Sequence, residues 1–220
     1  MRVLFIGNSY TYSNNLPQIL QDLANAAGKS LTASMVTSGD KTLEWHWYNP
    51  HTLQAIDNGP WDFIALQDHS LRAVEEPDKL HGAVKKLAAR IHKANATPVL
   101  FITWARRHIP EMQDDVTQTY LHAAREIGAR VAPVGPTWQR ALSSFPELSL
   151  HIDDHSHPNL LGSYLTACVF YATLFEESPA VLSHTFRISD GVTAVIDNDK
   201  AAFLQQTAWA TFEEFKNSGR

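Results

Sequence analysis

Short, wholly apolar runs alternate along this chain with amphipathic stretches of helical length, and that alternation restricts its fold more than any other feature. Residues 3–6 read Val-Leu-Phe-Ile, a run with no polar member, as expected of a strand covered on both faces. Asn14 or Asn15 then caps a helix whose apolar positions are Leu16, Ile19, Leu20, Leu23, Ala24 and Ala27, and Gly28 ends it. Runs at 31–36, 63–66, 99–102 and 131–134 read as four more strands, the first of these closing at Gly39 and the last interrupted by Pro133. Leu80, Ala83, Val84, Leu87, Ala88 and Ile91 mark a second helix face, and residues 114–127 a third helix. Two further helices are expected over 159–175 and 200–215, the last carrying Ala201, Leu204, Ala208, Phe212 and Phe215 on one side.

Strands that alternate with helices need right-handed crossovers and a parallel sheet with helices on both faces. Five strands fit an α/β fold of the flavodoxin-like kind, a three-layer α/β/α sandwich with a five-stranded parallel sheet. Active sites of such sheets lie beyond the carboxyl ends of the strands. Residues 1–220 contain no repeat and no linker, so a single domain is expected. Residues 179–199 are less regular and read as a surface excursion before the last helix.

The composition, 44% hydrophobic and 19% charged, is that of a globular protein, and the net charge of -5 gives no broad positive field for nucleic acid. The lone Cys168 sits in an apolar run, reads as a buried small hydrophobe and excludes an intrachain disulfide. No apolar stretch has the length of a membrane span, and Arg2 leads straight into an apolar run too short for a signal core. A cytoplasmic monomer or homodimer without membrane contact is expected; a signal removed from a precursor would instead make it secreted or periplasmic.

The first strand runs into Gly7-Asn8-Ser9-Tyr10-Thr11. Gly7 lets the chain turn tightly, and Ser9 stands just before a helix, where free backbone N–H groups point outward. Such a serine is either a turn and capping residue or a nucleophile beside its own oxyanion site. The second role needs a base. A base is available in Asp153-Asp154-His155-Ser156-His157-Pro158-Asn159. One ring nitrogen of His157 can take the Ser9 proton while Asp154, three residues earlier, fixes the other.

The blocks Gly7-Asn8-Ser9 at the first strand end, Gly39 after the second strand and Asp154-x-x-His157-Pro158 before a late helix resemble the SGNH hydrolase superfamily, the GDSL-type esterases. The resemblance runs from residue 3 to about 175. It implies an esterase in which Ser9 is the nucleophile, His157 the base and Asp154 its orienting partner. The backbone N–H groups of Ser9 and Gly39 would bind the oxyanion. The family's Gly-x-Asn-Asp block is missing; Leu66-Gln67-Asp68-His69-Ser70 stands in its place. Gln67, or alternatively His69, would be the third oxyanion donor. Some relatives with such a block resemble carbohydrate esterases, which implies a short acyl ester, acetyl above all, on a carbohydrate, and no cofactor.

Trp45-His46-Trp47-Tyr48 and Trp104-Ala105-Arg106-Arg107 follow strands at the same end. Trp45 and Trp104 could stack on a sugar ring, and Arg106 or Arg107 could bind an anionic group, or each could simply cover the sheet or face solvent. Three rivals stand beside the esterase. His151, Asp153, Asp154, His155 and His157 could hold a divalent metal for a metal-dependent hydrolase. A general lipase or arylesterase would use the same triad behind a wider apolar mouth. An α/β domain that only binds a sugar or a partner would show no turnover.

Overall fold

The computed structural model describes residues 1–218. The five expected strands form one parallel sheet: β1 (Arg2–Gly7), β2 (Thr32–Thr37), β3 (Phe63–Leu66), β4 (Thr97–Phe101) and β5 (Arg130–Ala132), in the order β2-β1-β3-β4-β5. The sheet order reverses direction between β1 and β3, the switch point at whose carboxyl edge ligands of such sheets bind. The short helix α1 (Ser9–Tyr12) follows β1 directly and leads into α2 (Leu16–Ala26). Next come α3 (Leu43–Tyr48), α4 (Pro50–Asn58), α5 (Arg72–Glu75), α6 (Pro77–Lys93), α7 (Met112–Ile127), α8 (Val134–Ser144) and α9 (Leu160–Phe175). An antiparallel hairpin, β6 (Thr185–Ser189) and β7 (Val192–Val195), precedes α10 (Asn198–Asn217).

Successive side chains of a strand point to opposite faces, so each strand feeds two cores. Val3, Phe5, Val99 and Phe101 pack with α2, α8 and α9, whereas Leu4, Ile6, Ile64, Leu66 and Leu100 pack with α6 and α7. The three-layer sandwich expected from the apolar runs is therefore present. α9 is buried almost all round, and Cys168 lies inside it with its thiol pushed up by burial. No helix of the described residues is long and apolar enough to cross a membrane.

Two local expectations are corrected. Residues 179–199 contain a regular hairpin, turned at Asp190-Gly191 with Gly191 at φ 74°. It is anchored by Phe186 stacked on Tyr164 and by Arg187, which grips the Asp22 carboxylate through Nε (2.9 Å) and Nη2 (2.7 Å). Asn15 occupies the cap position of α2 with a left-handed backbone, and its side chain makes no capping hydrogen bond. Asn14 instead donates to the Pro158 carbonyl (3.1 Å) and to Ser163 Oγ (2.9 Å), tying the chain beside α1 to the loop before α9.

Candidate active site

β1 ends in Gly7, and a Cβ there would lie 2.4 Å from Gln67 Oε1 and 2.6 Å from Thr11 Oγ1. Only glycine allows this turn to press so closely on its neighbours. Asn8 caps α1, its Oδ1 accepting the Tyr10 N–H (3.1 Å), while its Nδ2 donates to the Lys41 carbonyl (3.0 Å). Ser9 is thereby fixed at the first position of α1. Beneath the turn, His46 Nε2 bonds the Gly7 carbonyl (2.9 Å) and Nδ1 bonds Thr52 Oγ1 (2.8 Å). Burial lowers the His46 pKa against the smaller raising effect of the Gly7 carbonyl, so this ring is a neutral prop.

The second half of the site is the loop between α8 and α9. His151 bridges Pro158, and the Ile152 N–H donates to the His157 carbonyl (2.9 Å), so the segment closes as a tight hairpin. Asp154 Oδ1 accepts the N–H groups of Ser156 and His157, both at 2.9 Å. Its Oδ2 lies 2.5 Å from His157 Nδ1, and His157 Nε2 lies 2.7 Å from Ser9 Oγ. Desolvation pushes the Asp154 carboxyl up, but the two backbone N–H groups and the imidazole outweigh it and hold its pKa down at about 2.

Two contacts seat this loop. Tyr10 Oη and Ser156 Oγ share a hydrogen bond of 2.7 Å, and Trp104 Nε1 donates to the Ser156 carbonyl (2.9 Å). The Tyr10 ring stands edge-on to His157 and stacks on Trp104 at 4.5 Å, and Trp104 stacks on Trp138 at 4.0 Å. An aromatic pile thus runs from the histidine into the core.

The expected residues fall into three groups. Ser9, His157 and Asp154, from the two ends of the sheet region, meet in one hydrogen-bonded chain. Ser9, His69, Arg106 and His157 line a small cavity of about 60 Å³ together with Asp40, the neighbour of Gly39. The N–H groups of Ser9 and Gly39 have no protein acceptor among the described residues. Gln67 does not reach this cavity. Its Oε1 accepts the Asn8 N–H and the Thr11 hydroxyl, each at 2.9 Å, and its Nε2 donates to Asn8 Oδ1 (2.9 Å) and to the Asp68 carbonyl. Both amide hydrogens are therefore used, and Gln67 braces the turn instead of facing an oxyanion.

The aromatic expectations are also corrected. Trp104 is buried with both faces covered, so it cannot stack on a sugar. Trp45 is partly exposed on α3, with the Lys41 ammonium 5.9 Å from its ring centre, and does not line the Ser9 cavity. The rival metal cluster at 151–157 does not assemble among the described residues. His151 turns inward, bonding the Ala105 carbonyl (3.1 Å) and packing edge-on against Trp138. Among the described residues, the one group with ligand atoms close enough for an ion is His81, His122 and Glu126, on α6 and α7. Asn8, Tyr10, Ser70 and Ser156 lie within the sequence blocks around the site, but spacing alone assigns them no role. An asparagine immediately after a strand and before a helix was a capping signal that could have revealed the first.

No protein-family model matches the chain, and no curated protein matches it. Solved structures do. A DUF4886 family protein from Bacteroides uniformis is 20% identical with a TM-score of 0.81, over 97% of this chain and 95% of that one. A candidate SGNH hydrolase from Slackia heliotrinireducens is 28% identical with a TM-score of 0.65, over 79% and 98%. The acetyl xylan esterase AlAXEase is 16% identical with a TM-score of 0.63, over 78% and 98%. The resemblance to SGNH hydrolases expected from the sequence is thus borne out in the fold.

Proposed function

We propose that this protein is a serine esterase of the SGNH type that removes short acyl groups, acetyl above all, from a carbohydrate alcohol. The observation that carries the reading is the continuous chain from Asp154 Oδ2 through the His157 ring to Ser9 Oγ, with bonds of 2.5 and 2.7 Å. In the first half-reaction Ser9 Oγ attacks the acyl carbonyl carbon while His157 Nε2 takes its proton. The carbonyl π electrons move onto oxygen, and the resulting oxyanion lies against the Ser9 and Gly39 N–H groups. The C–O bond to the alcohol then breaks, and His157 returns the proton to the leaving oxygen. Water repeats the sequence on the acyl-enzyme, releasing the acid and Ser9.

His69 is the third oxyanion donor in this reading. Its Nδ1 accepts the Leu71 N–H at 3.4 Å, which leaves the ring proton on Nε2. The small, mostly polar cavity favours a short acyl group and a polar alcohol over the wide apolar mouth of a lipase. An acetyl xylan esterase shares the fold, which agrees with an acetylated carbohydrate as substrate. A metal-dependent mechanism at residues 151–157 loses its support once His151 faces the core.

The test is hydrolysis of p-nitrophenyl esters of increasing acyl length, followed by acetylated xylan and acetylated sugars. Acetate is expected to give the highest kcat/KM. A rate that climbs with chain length overturns the short-acyl assignment, and turnover that persists in Ser9→Ala but vanishes on chelation overturns the mechanism.

A further inference from the structure

Arg106 makes no ion pair with a carboxylate among the described residues. It follows β4 and lines both the Ser9 cavity and a larger neighbouring cavity of about 200 Å³ bounded by Trp138, Leu142 and His151. Its Nε–H is buried without an acceptor, and its Nη2 meets only the neutral Ser70 hydroxyl, at 3.3 Å. No carboxylate of the described residues pairs with it, although Asp40 lines the same cavity. Several other arginines pair with carboxylates: Arg72 with Glu44 and Glu76, Arg90 with Asp57, Arg187 with Asp22. A partly buried guanidinium with an idle donor, placed beside the candidate nucleophile, is built for an anion that arrives with the substrate. Arg107 and His108 follow it in the chain, and the His108 ring lies against that of His155, so the surroundings add basic groups.

We propose that Arg106 binds a carboxylate on the alcohol part of the substrate, so that the esters taken are acyl esters of acidic sugars. This rests on the esterase reading and specifies its substrate class. The acyl group occupies the small cavity at Ser9. The alcohol part extends toward the larger cavity past Arg106, which lines both. A planar guanidinium presents parallel N–H groups that match the two oxygens of a carboxylate.

The test compares an acetylated uronic acid, the same acetylated sugar without the carboxylate, a phosphate-bearing counterpart and p-nitrophenyl acetate, in the wild type, Arg106→Gln and Arg106→Lys. The wild type is expected to prefer the uronic ester to its neutral counterpart by about 10–100-fold in kcat/KM, mostly through KM, as for a charge-assisted hydrogen bond pair. The ratio should collapse toward one in Arg106→Gln and be partly kept in Arg106→Lys. A wild-type ratio near one, or a ratio unchanged in Arg106→Gln, overturns the proposal, and a stronger preference for the phosphate-bearing ester overturns the carboxylate assignment. If no ester is turned over, p-nitrophenyl acetate included, the esterase reading itself falls. Calorimetric binding of the free uronic acid against the neutral sugar then decides the anion site, and equal affinity of wild type and Arg106→Gln overturns it.

Discussion

Asp154 holds His157 twice, by the main chain and by the ring: Oδ1 accepts the His157 N–H at 2.9 Å while Oδ2 lies 2.5 Å from Nδ1. The two oxygens therefore do different work. Because Oδ1 is also fixed by the Ser156 N–H, an asparagine at this position would keep its oxygen there and turn its NH2 toward Nδ1. His157 would then carry its proton on Nε2 and be unable to accept one from Ser9. Asp154→Asn is expected to lower kcat by about 10³–10⁴-fold, at least as much as Asp154→Ala, with the fold intact. Steady-state kinetics of both variants check this; an active Asp154→Asn contradicts it.

Gln67 and His69 separate a brace from a donor. Removing Gln67 leaves Asn8, Thr11 and the Asp68 carbonyl without their partners, so Gln67→Ala should lower stability by about 2–4 kcal/mol and reduce activity along with it. His69→Ala should leave the melting temperature nearly unchanged and lower kcat by about 10²–10³-fold, as for loss of one oxyanion donor. Denaturant titration and kinetics on the two variants distinguish the roles, and the reverse pattern would restore Gln67 as the donor.

Trp104→Leu tests whether the aromatic pile serves the histidine loop. The substitution removes the hydrogen bond to the Ser156 carbonyl and the stacks on Tyr10 and Trp138. A loss of about 2–4 kcal/mol in stability is expected from the buried volume alone. A fall in kcat of about tenfold or more should accompany it in the fraction that remains folded, because His157 loses its seat. Full activity per folded molecule would mean that the loop holds itself.

Asp68 makes a pH prediction. It is buried, its Oδ1 accepts the Leu43 and His69 N–H groups, and its Oδ2 has no partner. Burial raises its pKa to about 6 against the lowering effect of those N–H groups. The folded state therefore binds a proton more tightly than the unfolded chain, where the value is about 4. Stability is highest below about pH 4 as far as this group is concerned, declines as the pH rises from about 4 through about 6, and levels above that. Asp68→Asn should flatten this decline and raise stability at pH 8 by about 1–3 kcal/mol, as read from melting curves between pH 4 and 8. A variant less stable than the wild type at pH 8 contradicts it.

How much of this was legible in the chain depends on how local each signal is. The five strands and the long helices follow from runs and spacings such as residues 3–6 and Leu80 to Ile91, which need no tertiary information. α8 was hidden because Gly135 and Pro136 open it; proline is tolerated in a first turn, and a Cβ at Gly135 would lie 2.1 Å from the Thr103 carbonyl. α3 and α4 had readable caps, Thr42 and then Asn49 before Pro50, but the aromatic residues between them drew attention as a surface. Asp190-Gly191 between two runs containing β-branched residues is a local hairpin signal, and β6 and β7 pair across it. In the site, Ser9, Asp154 and His157 stood out because each occupies a strand-end or pre-helix loop. The direction of the Gln67 amide and the coverage of Trp104 depend on neighbours distant in the chain, which no spacing encodes.

Covalent trapping by a fluorophosphonate, with the modified residue mapped by mass spectrometry, tests the shared proton between Ser9 and His157 most directly. Stoichiometric labelling of Ser9 is expected, abolished in Ser9→Ala and strongly slowed in His157→Ala. Labelling elsewhere, or labelling of Ser9 at the same rate in His157→Ala, would contradict the account.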